Sequence, residues 1–303
     1  MAEYFPRASW RTATPQAHGM SATKLKAISA NVMGAATINR HGYEVYTYGD
    51  PSKLLTGWAS CARSVLTTMW GMLIHEGRIF GGLFVEESLE QSVRALDTPT
   101  ARKFGSAIKL KHVLSYTSQA HPPGSKWSYS SGDHWPMQHA ILEELTGETV
   151  QRWVKRELLD VLGGGMSCHR VKEDGTNRIY ASPRAFARWG YLWLHEGRWR
   201  KTQLLDPAFV TRATAGGPDG DGKPWELEGM QIHLSKHEKI TGEKQGDTIR
   251  CPGVPSDCFF AYGSGDKAVI AVIPSLDLVI ARYRSHGYPV ETFLGKVCEA
   301  VTD

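Results

Sequence analysis

Residues 58–77 of the chain read Trp58-Ala-Ser60-Cys-Ala-Arg63-Ser-Val-Leu-Thr-Thr-Met-Trp-Gly-Met-Leu-Ile-His-Glu-Gly77. The pattern predicts a turn of small residues and then about four turns of apolar helix, which end at Gly77 because glycine is common just after helix C-termini. A serine at the start of such a helix lies near free backbone N–H groups and the positive end of the helix dipole. Ser60 is therefore a candidate nucleophile. Serine is also a preferred N-cap residue, and the stretch taken alone favours the cap.

Length and composition indicate a globular protein without a nucleic-acid partner. The chain has 303 residues, 41% of them hydrophobic, and a formal net charge of +4. This length allows one large domain or two closely packed ones. Because the basic residues are scattered in short runs, we expect neither nucleic acid nor an anionic membrane as a partner. We also expect no membrane span, since no run of about 18 apolar residues exists.

The cysteines indicate a reducing compartment. Their number, five, is odd and their spacing is irregular, which does not suit a disulfide framework. The first residues show no secretory pattern, so the expected location is the cytoplasm. Cysteine and histidine spacings do not match the usual zinc sites, and we expect no metal and no cofactor. Cys61, beside Ser60, is either a reactive thiol or, as is commoner, a small buried residue.

Periodicity and turn residues predict an α+β chain. A helix is expected from Ser21, and the segments 35–39 and 43–48 read as a β-hairpin. Helical patterns then dominate, and Ser182-Pro183 is a strong helix start. The remaining predictions are strands at 228–234, 258–262, 268–273 and 276–283 and a helix at 290–301. We therefore expect one subdomain from residues 1–79 and 218–303 and a second, all-helical one from residues 80–217.

Four elements of the sequence occur in an order that resembles one family. They are Ser60-Cys-Ala-Arg63, His112-Val-Leu-Ser-Tyr-Thr-Ser118, Pro123-Gly-Ser-Lys-Trp-Ser-Tyr129-Ser-Ser131 and Phe260-Ala-Tyr262-Gly263-Ser264. Together they resemble the motifs of the serine β-lactamases and penicillin-binding proteins, whose first signature is Ser-x-x-Lys. The similarity is greatest to the branch of esterases and amide hydrolases that includes 6-aminohexanoate-dimer hydrolases and class C β-lactamases. It implies a β-lactamase/transpeptidase-like fold: an antiparallel sheet flanked by terminal helices, with an inserted all-helical subdomain.

The resemblance also implies roles for individual residues in acyl transfer. Ser60 would be the nucleophile and Tyr129 the base and later the acid, although a buried tyrosine is ordinarily a core residue. The N–H groups of Ser60 and Ser264, the latter beside Gly263, would form the oxyanion hole. Ser131 would orient the substrate.

Further residues are candidates for lining the pocket. Trp127, Trp135 and Tyr262 could form an apolar acyl site, and plain core packing is the equal alternative. His134 is near Tyr129 in sequence, but a lone histidine is more often a surface or core residue.

Arg63 stands where the family's motif has lysine. A buried lysine amine can lose its proton and act as a base, whereas a guanidinium group, with a pKa above about 12, stays charged. Arg63 could still act as a fixed positive charge that favours the phenolate form of Tyr129, which would then take the proton of Ser60. Alternatively, its longer side chain displaces Ser60 or fills the pocket. The sequence leaves both outcomes open.

Two functions from different classes follow. The resemblance implies a serine hydrolase that cleaves a small ester or amide, with acyl transfer to an acceptor other than water as a further alternative. The replaced lysine instead favours a catalytically silent relative that binds a carboxylate ligand or a protein partner, because guanidinium holds carboxylate bidentately. β-Lactamase activity is not expected, since Ala261-Tyr262-Gly263 lacks the cation with which relatives hold a β-lactam carboxylate. Substrate identity and oligomeric state stay open.

Overall fold

The protein is described by a computed structural model. The residues described are 4–30, 34–53, 58, 60–126, 134–170, 177–215, 233–234, 251, 253–263, 268–283 and 289–303. Among them, no helix is both long and apolar enough to cross a membrane. All five cysteines are buried free thiols.

Eleven strands are present among the described residues, and six of them overlap segments predicted as strands from the sequence. They are β1 (Arg11–Thr12), β2 (Ala35–Arg40), β3 (Tyr43–Tyr48), β4 (Ser167–Arg170), β5 (Asn177–Tyr180), β6 (Arg198–Trp199), β7 (Thr202–Gln203), β8 (His233–Leu234), β9 (Phe259–Gly263), β10 (Ala268–Ile273) and β11 (Leu278–Tyr283). The predicted hairpin 35–48 and the paired strands after Cys258 are confirmed. Most of the predicted strand 228–234 lies outside the described residues.

Ten α-helices are present among the described residues, and two of them follow capping residues predicted from the sequence. They are α1 (Ala22–Ser29), α2 (Cys61–His75), α3 (Val85–Glu90), α4 (Leu110–Leu114), α5 (His134–Thr146), α6 (Val150–Val154), α7 (Asp160–Leu162), α8 (Pro183–Leu194), α9 (Pro207–Ala213) and α10 (Val290–Glu299), with a π-helical turn at Lys155–Leu159. Ser21 caps α1 by accepting a hydrogen bond from Lys24 N at 3.3 Å, and Ser182 caps α8 through Ala185 N at 3.1 Å. Both caps satisfy N–H groups that the first turn leaves open.

A seven-stranded sheet organises the described residues, in the order β1-β3-β2-β11-β10-β9-β8. Its pairings are antiparallel except that of β1 with β3. Strands from both ends of the chain thus lie side by side in one sheet, as predicted. The segment from 80 to 217 supplies mainly helices, and it also contains two ribbons, β4–β5 and β6–β7.

Each face of the sheet covers its own core because side chains alternate along a strand. One set, the helical-side core, includes Ile270, Val272, Val279 and Ala281 with Met69 of α2 and Phe186 and Trp189 of α8. The other, the terminal-side core, includes Val269, Ala271 and Ile280 with Leu25 of α1 and Phe293 and Val297 of α10. The α+β architecture expected from the sequence, a largely antiparallel sheet with terminal helices on one face, is confirmed.

Candidate active site

Ser60 stands at the start of α2 without capping it. Its backbone is already helical (φ −63°, ψ −19°), and its side chain makes no capping hydrogen bond. The turn is formed by the backbone instead: Cys61 N donates to Trp58 O at 2.8 Å and Arg63 N to Ser60 O at 3.0 Å. The side chain of Ser60 therefore does not cap α2.

Trp58 fixes the turn that carries Ser60. Its side chain is fully buried, and its indole Nε1 donates to the carbonyl oxygen of Ala181 at 3.0 Å. The ring packs edge to face on Phe186 at 4.8 Å and lies tilted against Tyr283 at 5.1 Å between centroids. The residue two positions before Ser60 is thus held by both α8 and β11.

Gly263 brings the end of β9 against the same turn. A Cβ atom at this position would lie 3.1 Å from Trp58 O, 3.1 Å from Ala268 Cβ and 3.5 Å from Cys61 Sγ. Only a glycine allows so close an approach without displacing these neighbours. The structure therefore joins two of the elements predicted for the site, the Ser60 turn and the end of β9.

Arg63 is buried between α2, the turn after α4 and the start of α5. Only 6% of its surface is exposed. Its Nη1 atom donates to Tyr116 Oη at 3.1 Å. The guanidinium carbon lies 4.5 Å from the ring centroid of Trp135 and 5.7 Å from that of Tyr116, both within the range of cation–π attraction. Arg63, three residues after Ser60, thus holds a positive charge at a fixed position.

Tyr116 holds an unusual backbone conformation to make this contact. Its φ of +57° lies in the left-handed region, which costs about 1–2 kcal/mol for a residue with a Cβ atom. The turn is closed by a hydrogen bond from Thr117 N to His112 O at 2.9 Å. Sequence reasoning matched this element to the family but gave Tyr116 no role.

Comparison with known proteins decides the family. The sequence model described as Beta-lactamase matches residues 24–295, which is most of the chain. The chain belongs to the beta-lactamase family. The resemblance read from the motifs is thereby confirmed. Among curated proteins, no sequence matches this one significantly.

Solved structures share the fold of this beta-lactamase-family protein. A protein assigned as a 6-aminohexanoate-dimer hydrolase from Bacillus anthracis is 15% identical, with a TM-score of 0.67 over 95% of this chain and 84% of that one. A penicillin-binding protein homologue from Caulobacter crescentus is 13% identical, with a TM-score of 0.68 over 92% and 97%. A family VIII carboxylesterase is 11% identical, with a TM-score of 0.65 over 92% and 96%. Identities this low show a common fold and leave the substrate of this family member open.

Gly124, which belongs to the same sequence motif as Tyr129, packs against His112. The Nδ1 atom of His112 accepts a hydrogen bond from Lys109 N at 3.2 Å. A Cβ atom at Gly124 would lie 3.1 Å from His112 Nε2, and Gly124 N donates to Thr117 O at 3.0 Å. These contacts therefore hold the backbone at Gly124 in place. Trp127, Tyr129, Ser131 and Ser264 lie outside the described residues, and His134 is described only as the first residue of α5.

The structure describes the contacts of two other candidates for the pocket, Tyr262 and Trp135. The side chain of Tyr262 packs against the terminal-side core, on the face of the sheet opposite to Ala261 in the helical-side core. These contacts support core packing, the equal alternative for Tyr262, and its place in the acyl pocket stays a prediction. Trp135, a further candidate for the acyl pocket, lies against the guanidinium of Arg63.

Cys61 is a buried residue and not a second nucleophile. Complete burial raises the pKa of its thiol well above the ordinary value. Its Sγ atom lies 3.9 Å from the carbonyl oxygen of Ala268 on β10. Within the described part of the chain, no group of His, Cys, Asp and Glu side chains could hold a metal ion.

Proposed function

We propose that this protein is a serine hydrolase that forms an acyl-enzyme on Ser60 and cleaves a small ester or amide. The observation that carries the proposal is the Ser60 turn, in which the serine does not cap its helix and the end of β9 packs against the turn. Membership of a family of hydrolases supports it.

In the proposed acylation, Ser60 Oγ forms a bond to the carbonyl carbon of the substrate while its proton passes to the phenolate of Tyr129. The N–H groups of Ser60 and Ser264 would donate to the oxyanion. When the tetrahedral intermediate collapses, the bond to the leaving group breaks and Tyr129 returns the proton to it. Water then attacks the acyl-enzyme by the same route and regenerates Ser60.

Arg63 takes no proton in this scheme. A guanidinium group has no accessible basic form, so Arg63 contributes a permanent positive charge that favours the phenolate form of Tyr129. Ser131 is proposed to orient the substrate, and Trp127 and His134 to line its site. The substrate is not expected to be a β-lactam, because the third motif ends in Tyr262-Gly263 without a cation.

One observation favours a second candidate, a catalytically silent relative that binds a small carboxylate. The guanidinium of Arg63, which stands where the family motif has lysine, donates to Tyr116 Oη at 3.1 Å and lies 4.5 Å from the ring centroid of Trp135. A guanidinium held in this way can bind a carboxylate through two parallel hydrogen bonds. This alternative predicts ligand binding without covalent modification of Ser60.

Intact-mass analysis separates the two functions. The wild type, Ser60→Ala, Arg63→Lys and Ser64→Ala are treated with a fluorophosphonate and with a short-chain p-nitrophenyl ester. The hydrolase predicts one adduct in the wild type and in Ser64→Ala, the matched change one turn along α2, and none in Ser60→Ala. An adduct in Arg63→Lys alone means that the arginine silences an intact scaffold. No adduct in any variant overturns the hydrolase.

A further inference from the structure

Tyr116 and Trp135 hold Arg63 from two separate parts of the chain. The phenol of Tyr116 accepts a directional hydrogen bond from Nη1 at 3.1 Å, and the indole of Trp135 offers a flat face 4.5 Å from the guanidinium carbon. Arg63 and Tyr116 are 6% and 4% exposed, so bulk water does not weaken this contact. A hydrogen bond and an aromatic face together fix both the position and the plane of the guanidinium.

The backbone at Tyr116 is a second, independent sign that this side chain is required. With φ at +57°, the position is one that glycine occupies readily and bulky residues rarely do. Hydroxyls on either side reinforce the turn, since Ser115 Oγ lies 3.0 Å from Thr117 Oγ1. Such a conformation, which six other described non-glycine residues share, supports a requirement for the ring or hydroxyl of Tyr116 when taken with its contact to Arg63.

We infer, on the basis of the acyl transfer proposed above, that Tyr116 is a positioning residue for the charge of Arg63. With Trp135, it keeps the guanidinium of Arg63, three residues after Ser60 in the chain, at a fixed place. In that place, a residue that cannot accept a proton still favours the base form of Tyr129. Tyr116 itself exchanges no proton with Ser60 or the substrate. It acts through Arg63 alone, and this sets it apart from a second base.

The role is tested by the pH dependence of Ser60 labelling with the fluorophosphonate. Labelling joins Ser60 Oγ to phosphorus, expels fluoride and passes the serine proton to the base, so its rate reports the base. The variants are Tyr116→Phe, Arg63→Met and the two combined, measured between pH 6 and 10. Tyr116→Phe removes one hydrogen bond to a charged group, and we expect the rate at neutral pH to fall by about tenfold.

Two readouts distinguish positioning from a merely structural role. The pH of half-maximal labelling should move upward in Tyr116→Phe and in Arg63→Met, because a less well-placed cation favours the phenolate less. In the Arg63→Met background, adding Tyr116→Phe should change the rate by less than about twofold, since residues that act as a unit are not additive. The inference is overturned if Tyr116→Phe lowers the labelling rate equally at every pH. It is also overturned if Tyr116→Phe lowers the rate equally in the wild type and in Arg63→Met.

The outcomes keep the inference apart from the function on which it depends. If the wild type is not labelled at Ser60, the proposed hydrolase fails and the positioning role fails with it. If the wild type is labelled and Tyr116→Phe matches it in rate and pH profile, only the positioning role fails. Should Tyr116→Phe not fold, Trp135 offers the same test: Trp135→Phe keeps an aromatic face and should label within about threefold of wild type, whereas Trp135→Leu should lose about tenfold. Equal rates for these two variants also contradict the inference.

Discussion

The guanidinium of Arg63 stays charged through the neutral range of pH. Any pH dependence of Ser60 reactivity must therefore come from another group, for which Tyr129 is the proposed candidate. The sequence shows that a lysine is replaced, and from that alone it follows that residue 63 is not a base. It does not show that Tyr116 and Trp135 receive the new side chain, because these positions are 53 and 72 residues further along the chain.

His18 makes the stability of the folded protein depend on pH in mildly acidic solution. Burial, then the nearby His41 and Arg40, lowers the pKa of His18 below its ordinary value of 6.5, although Asp277 opposes this. The unfolded chain therefore binds a proton here more readily than the folded one. The free energy of unfolding should be constant above about pH 7 and decrease as the pH falls below 6.5 towards the folded-state pKa.

Urea unfolding at several pH values checks this prediction. His18→Gln should reduce the loss of stability between pH 7 and 5, because the titrating group is gone. His75→Gln is the matched control for the substitution itself, since His75 is exposed at the end of α2. A decrease of the same size in wild type and His18→Gln contradicts the assignment.

Helices and strands were predictable wherever the signal is local. Ser21 and Ser182 cap the helices expected from them, and the pattern around residues 35–48 specifies a hairpin. The ribbons β4–β5 and β6–β7 were missed because their strands are only two to four residues long. So short a strand is stabilised by what packs on it more than by its own periodicity.

The packing of Tyr262 has a simple physical origin. Successive side chains of a strand point to opposite faces of the sheet. Gly263 meets the Ser60 turn, so its neighbour Tyr262 must face the other way, towards α1 and α10. The strand could be located from its sequence, but which of its faces meets α2 depends on packing between distant segments.

The contact between β9 and the Ser60 turn should be sensitive to one methyl group. In Gly263→Ala, the new Cβ atom meets Trp58 O and Ala268 Cβ at 3.1 Å, so the strand end or the turn must move by a few tenths of an ångström. We expect the rate of Ser60 labelling to fall at least about tenfold and the free energy of unfolding by only about 1 kcal/mol. Gly105→Ala, with no atom nearer than 3.9 Å, should change neither. Wild-type labelling in Gly263→Ala would show that this contact does not position Ser60.

A glycine-to-alanine substitution in helix α8, at Gly190, should lower the stability of the protein. A Cβ atom at Gly190 would lie 2.8 Å from Val279 Cγ1 and 2.9 Å from Ile270 Cγ2, where the helix packs on the sheet. Gly190→Ala gains helix propensity worth about 0.5–1 kcal/mol and introduces overpacking that costs about 1–3 kcal/mol. The net effect should be a lower midpoint of urea unfolding. A raised midpoint contradicts the close approach of α8 to the sheet.

The inserted segment and the two chain ends are held together by polar contacts as well as by the helical-side core. Arg188 of α8 is almost fully buried and donates to the carbonyl oxygens of Leu162, Arg7 and Ala8 at 2.7, 2.9 and 3.2 Å. Burial, with the neighbouring charge of Arg200, lowers its pKa to about 10. These contacts link α8 to the end of α7 and to the N-terminal segment. We therefore expect the described parts of the chain to unfold together, although the proposed division at residues 80 and 217 remains a prediction.

Glu44 and Arg184 offer the sharpest test of this joint unfolding. Arg184 at the start of α8 donates to both carboxylate oxygens of Glu44 on β3, at 2.6 and 2.7 Å, and Glu44 is only 5% exposed. Glu44→Gln keeps the shape but leaves the guanidinium without its charged partner, so the free energy of unfolding should fall by about 2 kcal/mol. Tryptophan fluorescence and far-UV circular dichroism should shift together in urea, because one pair joins the sheet to the inserted segment.

The exposed pair of Asp97 and Arg102 serves as the control, and Asp97→Asn should change the free energy of unfolding by less than about 0.5 kcal/mol. Two separated transitions in Glu44→Gln, or an effect no larger than that of Asp97→Asn, would mean that the two parts fold independently.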